Sequence, residues 1–138
     1  MPSRGHRSVK CVRRISGRVG RLRSILVQGE LSPTDLEAAF SGGGAEGQAS
    51  TSYAFGSVKV LMIVGRKFYF RTNDQLGAVL LATSNGQTQR IDISYAGGGS
   101  GLLGIQMGAG NDLEGNLFDS VVNTVQSRSL SCQEVSAL

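Results

Sequence analysis

The dipeptide Asn85-Gly86, set between two β-prone runs, constrains this chain more than any other feature of its sequence. A type I′ turn needs positive φ at both central residues, which Asn and Gly tolerate, and its twist matches that of the strands it joins. Residues 76–83 and 87–95 are therefore read as the arms of a hairpin. A two-residue loop would fix the register, placing Leu80 opposite Ile91 and Ala78 opposite Ile93. Leu76 and Tyr95 extend that apolar face. Arg90, Asp92 and Ser94 take the other face, together with Val79 and Leu81, whose apolar side chains would be left wet. These four residues, Val79, Leu81, Arg90 and Asp92, are the candidate interface of a weak homodimer.

Helices flank this hairpin on both sides. Ser32 suits an N-cap, Pro33 the first helical position and Asp35 the first turn, after which Leu36, Ala39 and Phe40 recur at helical spacing. The run Ser41 to Gly44 ends that helix. Near the C-terminus, Leu117, Phe118, Val121, Val122 and Val125 form an apolar stripe at spacings of three and four, with Asn111 as N-cap and Glu114 completing a capping box. The tail from Ser127 has no period and is expected to fray.

The remaining segments read as strands. Residues 24–30 form a short apolar run before the first helix, and residues 49–72 are rich in β-branched and aromatic side chains, interrupted by Gly56 and Gly65. Residues 102–107 fit a last strand. The expectation is an α+β fold in the order strand, helix, four or five antiparallel strands, terminal helix, with that helix packed on one face of a curved sheet. The order resembles the helix-grip and TATA-binding-protein-like architectures. At 138 residues a single core is expected, over residues 24–127, with a tail from residue 128.

Charge divides the chain unevenly. Arg4, Arg7, Lys10, Arg13, Arg14, Arg18, Arg21 and Arg23 supply eight of the 14 basic side chains within the first 23 residues, where there is no acid, and the remainder is net −4. Such an arm can contact nucleic-acid phosphates through those eight residues by releasing counterions. It also fits a transit peptide, a membrane-surface segment carried by Val12, Ile15, Val19 and Leu22, or an extension from a misassigned start. It has no aromatic residues to stack on bases.

Catalytic and cofactor motifs fare poorly. Gly99, Gly101 and Gly104 satisfy GxGxxG, but Gly108 and Gly110 oppose the helix that a dinucleotide loop requires, and the sheet reads antiparallel. The single histidine, His6, lies in the arm with no cysteine-histidine pattern around it. Asp92 and Asp112 fit a polar sheet face and a helix start better than acid-base roles. Cys11 and Cys132 read as free thiols outside the core. No catalytic, cofactor or metal residues are assigned. The absence of a long apolar run or a secretory h-region points to a cytoplasmic protein without a membrane span.

From residue 25 to about residue 122 the chain also resembles an uncharacterised family of small bacterial α+β proteins. The likeness rests on Arg66 to Tyr69 as a basic-aromatic strand end, the turn at Asn73, the segment Ala96 to Ser100, and the terminal helix. Leu102 and Leu103 stand where that family would have a bulky aromatic pair, and the basic arm lies outside the match. The resemblance implies a fold and no activity. The sequence-level expectation is a non-enzymatic binding or structural domain of unknown partner. The alternatives are a nucleic-acid-associated protein using its arm, and a carrier of a small apolar ligand held between sheet and terminal helix.

Overall fold

A computed structural model describes residues 22–69, 74–96 and 109–135. In chain order these form β1 (Leu22–Gln28), α1 (Pro33–Gly42), β2 (Glu46–Phe55), β3 (Val58–Tyr69), β4 (Asp74–Ser84), β5 (Thr88–Ala96), α2 (Ala109–Ser127) and β6 (Ser131–Val135). The strands make one sheet in the order β2-β3-β4-β5-β1-β6, with every neighbouring pair antiparallel. The arm up to residue 21, the proposed strand at 102–107, the GxGxxG glycines and the Asn73 turn lie outside the described residues.

Alternation along the strands sorts the core. Ile25 and Val27 of β1, Leu61 and Ile63 of β3, Ala78, Leu80 and Ala82 of β4, and Ile91 and Ile93 of β5 all point to one face and are buried. Leu36, Ala39 and Phe40 of α1 and Leu117, Phe118, Val121 and Val125 of α2 close over them. Both helices thus lie on the same side of the sheet. Ser120 of α2 donates to the Ala39 carbonyl at 2.6 Å, and Arg128 clasps Asp35 at 2.7 Å and 3.0 Å, which ties the end of α2 to the start of α1.

α1 forms as its sequence suggests. The Ser32 hydroxyl accepts from the Asp35 N–H at 3.0 Å, Pro33 opens the helix, and Gly43 caps it. The buried Gln89 amide holds the incoming chain by accepting from the Leu31 N–H at 2.9 Å and donating to the Leu31 carbonyl. Gly65 sits inside β3 rather than at a bend, because a Cβ there would meet the Phe40 ring at 2.7 Å. The glycine lets α1 rest on the sheet.

Four expectations are corrected. The β4–β5 register places Leu80 opposite Ile93 and Ala82 opposite Ile91, two residues from the expected pairing. The cause is side-chain chemistry: Asn85 Oδ1 accepts from the N–H groups of Gln87 and Thr88, and Ser84 Oγ accepts from Gly86, which builds a longer loop in place of a type I′ turn. A slip of two preserves each side chain's face.

The α2 backbone is helical from Ala109, so Asn111 and Gly110 lie inside the first turn rather than before it. Packing of the apolar stripe outweighs the weak helix propensity there.

The tail does not fray after α2. Ser129 takes φ 60°, its N–H bonds to the Gln126 carbonyl and the Leu130 N–H to the Val125 carbonyl, the pattern of a Schellman cap. Leu130 then packs on the core, and β6 pairs with β1, burying Cys132 opposite Val27. Cys132 therefore belongs to the core.

Finally, β1 starts at Leu22, so Arg23 is part of the sheet. Its guanidinium lies 3.7 Å from the centroid of the Phe118 ring and pairs with Glu134. Composition alone groups it with the arm, but its strand position makes it part of the domain.

Candidate functional site

The opposite face of the sheet carries no helix among the described residues, and its side chains follow from the same alternation. β3 presents Val60, Met62 and Val64 there, paired with Thr83, Leu81 and Val79 of β4. β2 adds Tyr53 and Phe55, opposite Val60 and Val58. Phe55 is 69% exposed, Tyr53 52%, and Met62, Val64 and Val79 between 36% and 39%. The two aromatic rings meet edge to face at 5.4 Å between centroids. A continuous apolar patch thus crosses β2, β3 and β4. Contiguous exposed apolar patches mark interaction surfaces.

The patch has a polar border on β5 and β1. Arg90 Nε donates to Asp92 Oδ1 at 3.0 Å, the Ser24 hydroxyl donates to the same oxygen, and Arg90 Nη2 donates to Ser24 Oγ at 3.2 Å. The Asp92 carboxylate is thus occupied by local partners, as a structural group on a sheet face would be. The structure brings Val79, Leu81, Arg90 and Asp92 onto one face, with Leu81 directly opposite Asp92 and Thr83 opposite Arg90. Of the arm residues named from the sequence, Arg23 faces the helices, and Arg4, Arg7, Lys10, Arg13, Arg14, Arg18 and Arg21 lie outside the described residues. Among the described residues no group of three or more His, Cys, Asp or Glu side chains could hold a metal ion, and no helix is long and apolar enough to cross a membrane.

Sequence reasoning missed Tyr53, Phe55, Met62 and Val64. β3 is apolar on both faces, so period-two alternation gives no contrast between Leu61 or Ile63 and Met62 or Val64.

The edges of the sheet differ. β6 is five residues long and turns the Glu134 carboxylate inward to Arg23, and short edges with inward charges resist pairing with other chains. β2 is ten residues long and exposed along its whole length. Residues 47–55 hold no charge and no proline. One irregularity lies between Glu46 and Ala49, and regular pairing with β3 runs from Ala49 to Phe55.

Searches against family models, curated proteins and solved structures find no match to this chain.

Proposed function

We propose that this protein is a non-enzymatic structural domain that works by self-association, using the β2–β4 part of its helix-free sheet face. The observation that carries this reading is the contiguous apolar patch of Tyr53, Phe55, Met62, Val64 and Val79 on that face. The space between sheet and α2 is occupied by Leu117, Phe118, Val121 and Val125, which favours the open face over a ligand site beneath the helix. The polar Arg90–Asp92–Ser24 cluster borders the patch as polar rims border the apolar centre of protein interfaces. Sedimentation of the full chain should give twice the chain mass as concentration rises. The Tyr53→Lys, Phe55→Lys double variant, altered at exposed positions of β2, should stay folded and sediment as a monomer. A parent protein that is monomeric at the highest concentration would refute the reading. In ancestry, the reading keeps the relation to helix-grip-like folds and to the small bacterial family, supported by the antiparallel sheet with both helices on one face.

A second reading rests on the arm. Seven basic residues and no acid within residues 1–21 suit phosphate contacts. Full-length protein would then bind duplex DNA with log affinity falling linearly in log salt, by about 0.9 per phosphate neutralised. Deleting residues 1–21 would abolish that binding. Equal binding by the truncated protein would remove the arm from consideration.

A further inference from the structure

We propose that the seam between the two copies is the outer edge of β2, which no strand pairs with among the described residues, paired antiparallel with β2 of a second copy so that two sheets become one. This rests on the self-association reading and adds to it the strand, the symmetry and the register.

Hydrogen-bond geometry identifies which groups are available. Gly56 takes φ 60° and Ser57 has no positive φ, the signature of a type II′ two-residue turn between Phe55 and Val58. The residues flanking such a turn form a hydrogen-bonded pair, and these pairs alternate along an antiparallel ladder. Ala49, Thr51, Tyr53 and Phe55 therefore spend their N–H and C=O groups on β3. Ser50, Ser52 and Ala54 turn theirs to the outer edge.

Another β-strand satisfies such a row of donors and acceptors. A second copy fits for three reasons. Residues 47–55 carry no charge, so bringing two β2 strands together sets no like charges against each other along the ladder. The side chains at Ser50, Ser52 and Ala54 are small and exposed on the helix side, leaving room for the partner's backbone. Antiparallel pairing of identical edges is a closed two-fold, with the axis perpendicular to the sheet. That axis keeps both helix-free faces on one side, so the two Tyr53 side chains become diagonal neighbours across the seam, each Phe55 lies opposite Ala49 of the other copy, and the apolar patches become continuous. The midpoint of the regular segment from Ala49 to Phe55 is Ser52, which places Ser52 opposite its own symmetry mate and Thr51 opposite Tyr53 of the other copy.

Single cysteines at Ser50, Ser52 and Ala54 test the seam in full-length protein carrying Cys11→Ser, since Cys132 is buried. A hydrogen-bonded antiparallel pair has its Cα atoms about 5.5 Å apart, within the range a disulfide spans. Under mild oxidation Ser52→Cys should give a covalent dimer in high yield, and Gln133→Cys on the β6 edge should not. Ser52→Lys, which adds a charge to an exposed edge, should leave the fold intact and weaken association at least about tenfold. If the parent sediments as a dimer but none of the three β2 cysteines cross-links, the copies meet elsewhere and the seam is wrong while self-association stands. If the parent is a monomer and no cysteine cross-links, both readings fall.

Discussion

The Arg23 guanidinium stacks on the Phe118 ring, 3.7 Å from its centroid, while its Nε and Nη2 reach both carboxylate oxygens of Glu134. One side chain of β1 thereby joins α2 and β6. The Glu134 side chain is 4% exposed, so removing its partner strands a buried charge. Arg23→Ala should cost about 3 kcal/mol in denaturant unfolding, whereas deleting residues 1–21 should leave the midpoint unchanged. Replacing the pair by Arg23→Met with Glu134→Leu should recover most of the loss. An Arg23→Ala midpoint equal to that of the parent would show that this junction does not hold the strand.

Two glycines in adjacent strands give opposite expectations. A Cβ at Gly65 would meet the Phe40 ring at 2.7 Å and the Glu46 carbonyl at 3.0 Å, while one at Gly77 meets nothing within 4 Å. Gly65→Ala should destabilise by about 1–3 kcal/mol through overpacking. Gly77→Ala should be neutral or stabilising by about 0.5 kcal/mol. Thermal unfolding of the two variants side by side checks both, and equal midpoints would mean that α1 does not rest on β3 at this point.

The Asp35–Arg128 clasp predicts the acid limb of stability. The Arg128 guanidinium, hydrogen-bonded to Asp35, holds its carboxyl below the ordinary aspartate value. A lowered folded-state pKa contributes stability that is fully present above the unfolded value and is lost as pH falls through the folded one. Lys59 acts on Glu30 in the same direction. Asp35→Asn should therefore be less stable than the parent at neutral pH, and the gap should close below the usual carboxylate range. A gap that is constant down to strong acid would contradict the clasp.

Much of the inner face was legible because its periods are undisturbed: alternate residues through Ala78, Leu80, Ile91 and Ile93, and the three-and-four spacing through Leu117, Phe118, Val121 and Val125. The hairpin register was not, since the Asn85 side chain competes with the backbone for the loop's N–H groups. β6 was hidden because Ser131 to Val135 has no apolar period. Its pairing follows from the Schellman cap, from Leu130 packing against the position of Gly29, and from Glu134 meeting Arg23. For the candidate surface, Val79 and Leu81 stood out against Arg90 and Asp92, but the exposure of β2 depends on strand order, a tertiary property that no local pattern encodes.

Amide exchange along β2 in the full chain tests pairing at the seam most directly. An edge N–H that bonds to a second copy is protected only while that copy is present. The N–H groups of Ser50, Ser52 and Ala54 should exchange slowly at high protein concentration and rapidly on dilution, while those of Thr51 and Tyr53, bonded to β3, remain slow throughout. Rapid exchange at Ser50, Ser52 and Ala54 at every concentration would contradict the account.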